Sequence, residues 1–180
     1  MPHVFTDLDA VTDQVHALFD GWAHAGTFAT ALGTDGADVM RLAVHEWVAN
    51  LVQHARFPGD VEITLEARAE GDGVRCAIED TSRGFDLAGQ IERQRSVMDA
   101  PAPSERGRGL LMLVSSTSGL AYRPAGDGVR QRIEFVVRDP GADFFAALFR
   151  PEDLAADPSL ARSMGDGRAG RTAPAPPTPR

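Results

Sequence analysis

HEWVANLVQHARF, residues 45–57, decides how the rest of the chain reads. Trp47, Val48, Leu51 and Val52 fall at helical spacing, and among them stand Glu46, Asn50 and His54, each four residues from the last. A four-residue step on a helix turns about 400° and rises about 6 Å, so the three polar side chains form a slowly drifting row about 12 Å long. The apolar neighbours would pack into a core, and the row would border that core and face a cleft against a sheet. The same spacing also suits a solvated polar face, and the helix alone does not separate the two.

Outward from this stretch the chain divides into elements. Val39, Met40, Leu42 and Ala43 extend the apolar pattern backwards and predict a helix over 37–55, ended by Pro58 and Gly59. Leu8, Val11, Val15, Leu18, Phe19 and Trp22 predict an amphipathic helix over 7–25, and AGTFATALGTDG between the two reads as turn. VEITLEARA and VRCAIED alternate apolar and polar residues around GDG, which predicts a tight hairpin of strands 61–69 and 73–80. Residues 81–109 carry little periodicity and include Pro101 and Pro103, so they read as a functional loop or lid. LLMLVSSTS is a short buried helix, and LAYRP and VRQRIEFVVR are two further strands around AGDG.

The order α-α-β-β-lid-α-β-β predicts an α/β chain of the α+β kind: a two-layer sandwich with a mostly antiparallel sheet and helices on one face. One domain is expected over 1–139. Beyond it, 140–180 is expected to hold one short helix, ADFFAALF, and a disordered tail rich in Pro, Ala and Gly; half of the chain's 12 prolines fall in the final 30 residues.

Composition narrows the function classes. The single cysteine, Cys76, allows no internal disulfide and fits a reducing, cytoplasmic setting. MPHVFTDLDA has neither a basic start nor an apolar run, and nowhere do 18 apolar residues run together, so neither a signal peptide nor a membrane span is expected. The 18 basic and 26 acidic residues leave a net charge of −8, which argues against direct nucleic-acid binding. Every basic residue of these is Arg, so lysine chemistry and a lysine-bearing P-loop are excluded.

Two further stretches join the helical row. IEDTSRGFD, residues 78–86, ends a strand in Asp80 and turns through Gly84 into Phe85 and Asp86. An acid at a strand end beside a glycine suits recognition of a small molecule, and a buried carboxylate can accept from an exocyclic amine such as adenine's; a plain strand exit has the same composition. ERGRGLLMLV, residues 105–114, leads through Arg106, Gly107, Arg108 and Gly109 straight into a helix. Bare amides at a helix N-terminus attract anions, and arginines add charge-assisted bonds. A flexible loop entering a helix is the plainer reading of that stretch alone.

Together and in this order, Glu-xxx-Asn-xxx-His, Asp-xxx-Gly-Phe-Asp and Gly-Arg-Gly-Leu resemble the N, G1 and G2 boxes of the Bergerat GHKL ATPase fold. More narrowly they resemble the anti-sigma-factor serine kinases of the RsbW and SpoIIAB type, over about residues 1–138. The resemblance implies a serine/threonine protein kinase that uses ATP and Mg²⁺. In it Asn50 would coordinate the metal and Glu46 would be the general base. His54 would lie near the phosphates, Asp80 would hold the adenine amine, and Gly84 and Phe85 would shape the nucleotide pocket. Arg106, Gly107, Arg108, Gly109 and Leu110 would form the hinge of a lid over the phosphates, the lid itself being about 87–106. The implied partners are a STAS-domain anti-anti-sigma protein and a sigma factor, with a homodimer expected. Two positions depart from the pattern. Ser82 stands where the first glycine of the G1 box belongs, and the run Gly128, Val129, Arg130, Gln131 lacks the threonine often found after a glycine in the last strand.

A second hypothesis keeps the fold but not the chemistry: a binding module with weak or absent nucleotide. A third is the ATP-binding half of a histidine kinase, with His16 and His24 on the first helix as the histidines to weigh. His3, His16, His24 and His45 show no metal spacing, Trp22 and Trp47 read as core, and Cys76 reads as a buried strand residue.

Overall fold

Gly71 and Asp72 alone separate the paired ends Glu70 and Gly73, and the sheet grows from this hairpin. Gly71 takes φ +61°, the left-handed value that the first position of such a two-residue loop needs. The computed structural model describes residues 2–98 and 109–139. Its elements run β1 (His3–Phe5), α1 (Val11–His24), α2 (Ala29–His54), β2 (Ile63–Glu70), β3 (Gly73–Asp80), α3 (Leu87–Met98), α4 (Gly109–Ser116), β4 (Ser118–Arg123) and β5 (Gln131–Arg138). The strands form one five-stranded antiparallel sheet in the order β1-β2-β3-β5-β4.

Register and alternation give the sheet two unlike faces. Ile63 pairs with Asp80 and Leu65 with Ile78 across β2 and β3. Asp80 in turn pairs with Gln131, Ile78 with Ile133 and Cys76 with Phe135 across β3 and β5. Strand side chains alternate, so these residues share the face that carries the core, where Ile63, Leu65, Cys76, Ile78, Ile133, Phe135 and Val137 are buried. The opposite face carries charge. Arg75 meets Glu70 at 2.5 Å and Glu134 at 3.7 Å, Arg132 meets Glu134 at 2.6 Å and Glu79 at 3.5 Å, and Arg123 meets Glu79 at 3.4 Å. A face laced with ions cannot bury a helix cheaply, so the helices pack on the other one. There α2 supplies Val39, Met40, Ala43, Val44, Trp47, Val48 and Leu51, all buried, while α1 adds Val11, Val15 and Phe19, and α4 adds Leu110 and Leu113.

The expected order holds with four corrections. A short edge strand, β1, precedes the first helix, and Asp7 Oδ1 accepts the Asp9 and Ala10 amides, so the helix starts at Val11 rather than at residue 7. The small-residue stretch before 37 is largely helical from Ala29, with a break at Gly33, where φ is +61°. The stretch read as a loop or lid contains a helix, α3, capped by Asp86, whose Oδ1 accepts the Gly89 amide at 2.9 Å. Trp22 is only half-buried, against His3, Phe19 and Phe28, whereas Trp47 is fully buried. Residues 99–108 of that stretch, and the helix and tail expected over 140–180, lie outside the described residues. Among the described residues no helix is long and apolar enough to cross a membrane.

The charged face sets an acid limit. The hydrogen bond from Arg132, ahead of the opposing effect of burial and the added Arg132, Arg75 and Arg68 charges, holds Glu134 below its ordinary 4.5. Glu70 is lowered in the same way, first by its hydrogen bond from Arg75. A carboxyl lowered in the fold stabilises it above the unfolded value and loses that contribution as pH falls through the folded one. Stability from these groups should therefore be constant above pH 4.5 and decline below it. The double variant Glu70→Gln, Glu134→Gln should show a shallower decline of the urea midpoint between neutral and acid pH; an identical acid limb would refute the assignment.

Candidate functional site

The polar row on α2 is held in part by its own helix. Asn50 Nδ2 donates to the Glu46 carbonyl at 2.6 Å, one turn back. That bond ties down the amide nitrogen and leaves Oδ1, a hard oxygen ligand, to be presented away from the helix backbone. Glu46 is half-buried, and its carboxylate lies against the first residue of α4, since a Cβ built on Gly109 would run into Glu46 Oε2. Gly109 is the residue that lets α4 start this close. A carboxylate at the start of a helix also meets the partial positive charge of the unpaired amides there. The structure thus brings together Glu46, Asn50 and Gly109, from two stretches far apart in sequence. His54 ends α2 and is exposed, Leu110 is buried as a packing residue under α4, and Arg106, Gly107 and Arg108 lie outside the described residues.

A second cluster forms at the ends of β3 and β5. Asp80, Ser82 and Gln131 are the buried polar residues among those described, and they bond to one another. Asp80 Oδ1 accepts the Ser82 amide at 2.9 Å, and Asp80 Oδ2 accepts from Gln131 Nε2 at 2.8 Å. Gln131 Nε2 also reaches Ser82 Oγ at 3.3 Å, and Gln131 Oε1 lies 2.7 Å from the Tyr122 hydroxyl. Tyr122 braces the turn as well, accepting the Phe85 amide at 3.1 Å while its oxygen lies 2.8 Å from the Phe85 carbonyl. Burial, ahead of the nearby Asp80 and Asp86 charges, pushes the Tyr122 phenol above its ordinary value, so it keeps the proton it donates.

This cluster reinterprets both departures from the motif. In this turn positive φ falls on Gly84, at +71°, and not on Ser82, so the first glycine position here needs no glycine. Ser82 instead supplies an amide to Asp80 and a hydroxyl that accepts the Gly84 amide at 3.3 Å. In place of a threonine, Gln131 fills the space beside Asp80. Sequence reading passed over Gln131 and Tyr122. The signal for Gln131 was present: it occupies the core-facing period of 131, 133, 135 and 137, where a polar residue needs a buried partner.

Aromatic rings join the two clusters. Trp47 stacks on Phe85 with centroids 5.5 Å apart, and Tyr122 lies 5.9 Å from each of them. Trp47 is fully buried, yet its Nε1 is the buried side-chain donor without a partner among the described residues. An unmet buried donor costs about 1–3 kcal/mol and marks a place where an acceptor is wanted. Two other candidates resolve into structure. His16 Nε2 and His45 Nδ1 share a 3.0 Å hydrogen bond that ties α1 to α2, and burial pushes the Cys76 thiol up to about 12, far from thiolate chemistry.

The sheet, α2, the Gly84 turn and the glycine that opens α4 belong to a GHKL-type ATPase domain. Residues 8–133 match the histidine kinase-like ATPase domain family, and the chain belongs to it. It is also similar to the histidine kinase domain of the Erythrobacter litoralis EL346 blue-light activated histidine kinase, with a TM-score of 0.43 and 16% identity over 74% of this chain. The match spans 62% of that chain, less than two thirds of its length. None of the curated proteins matches.

The residues present fit a nucleotide and a divalent cation. Asn50 offers an amide oxygen from a half-buried position, and Glu46 sets a carboxylate one turn away against the glycine that opens α4. Among the described residues no cluster of three or more His, Cys, Asp or Glu side chains could hold a metal by itself. A magnesium ion that keeps waters and binds phosphates needs only one or two protein oxygens.

Gly84 is a tight point of the site, held against backbone. A Cβ there would lie 2.9 Å from the Ala125 amide nitrogen and 3.1 Å from Gln131 Oε1, on a backbone that L side chains rarely adopt. Gly84→Ala should cost about 1–3 kcal/mol in urea unfolding. Gly126→Ala, whose Cβ would meet nothing within 4 Å, should cost under about 1 kcal/mol. Equal losses would show that the Gly84 turn is not tight.

Proposed function

We propose that this chain is an ATP-dependent serine/threonine protein kinase and anti-sigma regulatory factor, of the serine-kinase type that its motifs resemble. It would phosphorylate a STAS-type anti-anti-sigma partner and sequester a sigma factor, exchanging one for the other. Cytoplasmic location and a homodimer belong to the same reading, and the net charge of −8 sets it apart from direct nucleic-acid binding.

One observation carries the reading: Glu46 and Asn50 stand a turn apart on α2, with the Glu46 carboxylate against the glycine that opens α4. Phosphoryl transfer depends on positioning and charge neutralisation more than on covalent help from the protein. Asn50 Oδ1 is the oxygen offered to Mg²⁺, which neutralises phosphate charge when bound. Glu46 is the group placed to hold the proton lost by a serine hydroxyl, within reach of the same helix end. Asp80 is the acceptor for the adenine amine, and Gly84 and Phe85 shape the wall beside it. His54, Arg106, Gly107, Arg108 and Gly109 are assigned to the phosphate end, with Leu110 fixing α4 beneath them.

A specific observation favours the runner-up, a catalytically weak or inactive binding module. Asp80 is fully buried and both its oxygens are engaged by the chain's own donors. Mg-ATP calorimetry on the whole chain separates the two readings, since a module without nucleotide gives no binding heat.

Glu46→Gln should leave Mg-ATP affinity within a few-fold and reduce serine phosphorylation of the STAS-domain partner about 10²–10⁴-fold. Asn50→Ala should weaken nucleotide binding in magnesium and change it little in EDTA. Transfer at an undiminished rate by Glu46→Gln would remove the base assignment, and phosphohistidine in the product would remove the serine kinase.

A further inference from the structure

We propose that Gln131 is an internal stand-in for the nucleobase, which holds Asp80 closed until a nucleotide displaces it. This rests on the ATP-binding reading above and adds to it a residue that sets affinity and base selectivity. The antiparallel register places Asp80 and Gln131 directly opposite on the core face of β3 and β5, and both are 0% exposed. Gln131 Nε2 donates to Asp80 Oδ2 at 2.8 Å, and Gln131 Oε1 lies 2.7 Å from the Tyr122 hydroxyl that donates to it. The other oxygen of Asp80 holds the Ser82 amide at 2.9 Å.

A primary amide presents an N–H donor beside a C=O acceptor. The 6-amino group and N1 of adenine present the same donor beside an acceptor on one edge. The seat that would read adenine is thus filled by a side chain that copies its edge. Guanine has the reverse order, an acceptor at O6 beside an N1–H donor, and would set its oxygen against the Asp80 carboxylate.

Opening the seat need not break the strand pairing. Gln131 has three side-chain torsions, so its amide can leave Asp80 while its main chain stays in the β3–β5 ladder. What opening costs is the hydrogen bonds to Asp80, Ser82 Oγ and Tyr122. A ligand that binds only the open form sees its affinity reduced by the fraction of open form present. An amide held by a carboxylate and a phenol keeps that fraction small.

The test is calorimetric titration of the full chain with Mg-ATP and, separately, Mg-GTP. Gln131→Ala should bind Mg-ATP about tenfold more tightly than the parent. Its affinity for Mg-GTP should not rise, and the gain should vanish when Asp80→Asn is added. Tyr122→Phe, which removes one of the bonds holding the amide, should shift Mg-ATP binding in the same direction by a smaller factor. Gln131→Thr and Tyr122→Phe carry the test if Gln131→Ala does not fold. Measurable Mg-ATP binding by the parent with no gain in any of these variants would overturn the stand-in and leave nucleotide binding intact. No binding of Mg-ATP at millimolar concentration by parent or variants would overturn both. A gain for Mg-GTP equal to that for Mg-ATP would overturn the mimicry, since plain loosening of the fold gives that result.

Discussion

A carboxylate taken out of water must be met by donors, and the end of the sheet around Asp80 is arranged by that demand. Removing a partner from a buried charge costs about 3–5 kcal/mol, a large share of a domain's whole stability. Asp80 meets the demand with one backbone amide and one side-chain amide, from Ser82 and Gln131. Each of those partners fixes something else. Ser82 shapes the turn that carries Gly84 and Phe85 over Tyr122, and Gln131 fixes the register of β5 against β3. A slip of one residue would move Gln131 to the charged face and bring a neighbouring side chain into the core in its place. The pair therefore specifies the sheet as well as occupying the site.

How much of this the sequence discloses depends on how local each cause is. The core of α2, the β2–β3 hairpin and the two later strands are set by periodicity and turn chemistry within a few residues, and they lie within a few residues of where the sequence puts them. The Glu46–Asn50 row and the special role of Gly84 are local in the same sense. β1 is a strand because it pairs with β2 some 60 residues on, and three residues show no alternation of their own. α3 has one buried residue in its described part, Leu87, so apolar spacing could not announce it; the capping aspartate, Asp86, could have. Gln131 meets Asp80 across 51 positions and Tyr122 meets Phe85 across 37. Nothing short of the sheet register brings those pairs together. By motif spacing Ser82 is a missing glycine, yet its backbone angle asks for none.

α2 serves packing and chemistry from one turn of helix. Val48 and Leu51 are buried while Glu46 and Asn50 are half-buried at its border. Between them Trp47 is the pivot, since its ring packs against Phe85 and Tyr122 of the Asp80 cluster while Glu46 lies against the start of α4. A polar residue inside a helix often competes with the backbone and weakens the helix. Asn50 uses that tendency to a different end. Its bond to the Glu46 carbonyl, a group already accepting within the helix, adds little to stability but fixes which amide atom faces outward. Orientation of a single oxygen is what a hard cation on a phosphate requires of the protein.

On the proposed reading, stability and ligand affinity are opposed at the Asp80 end and less tightly coupled at the Glu46 end. Every contact that satisfies Asp80 internally strengthens the ligand-free fold and raises the cost of giving that oxygen to anything else. Glu46 and Asn50 border the core without being sealed in it, so neither must surrender a buried partner to act. The two ends are linked through a stacked pair of rings, Trp47 on Phe85. A rearrangement of the turn that carries Phe85 would therefore be felt at the residue adjoining Glu46. Displacing the amide from Asp80 unlocks Tyr122 from one of its bonds, and Tyr122 is the group that braces the Phe85 backbone. The contacts then run from Gln131 through Tyr122, Phe85 and Trp47 to Glu46. Each link is a hydrogen bond, a ring contact or a peptide bond, so occupancy of one end has a physical route to the geometry of the other.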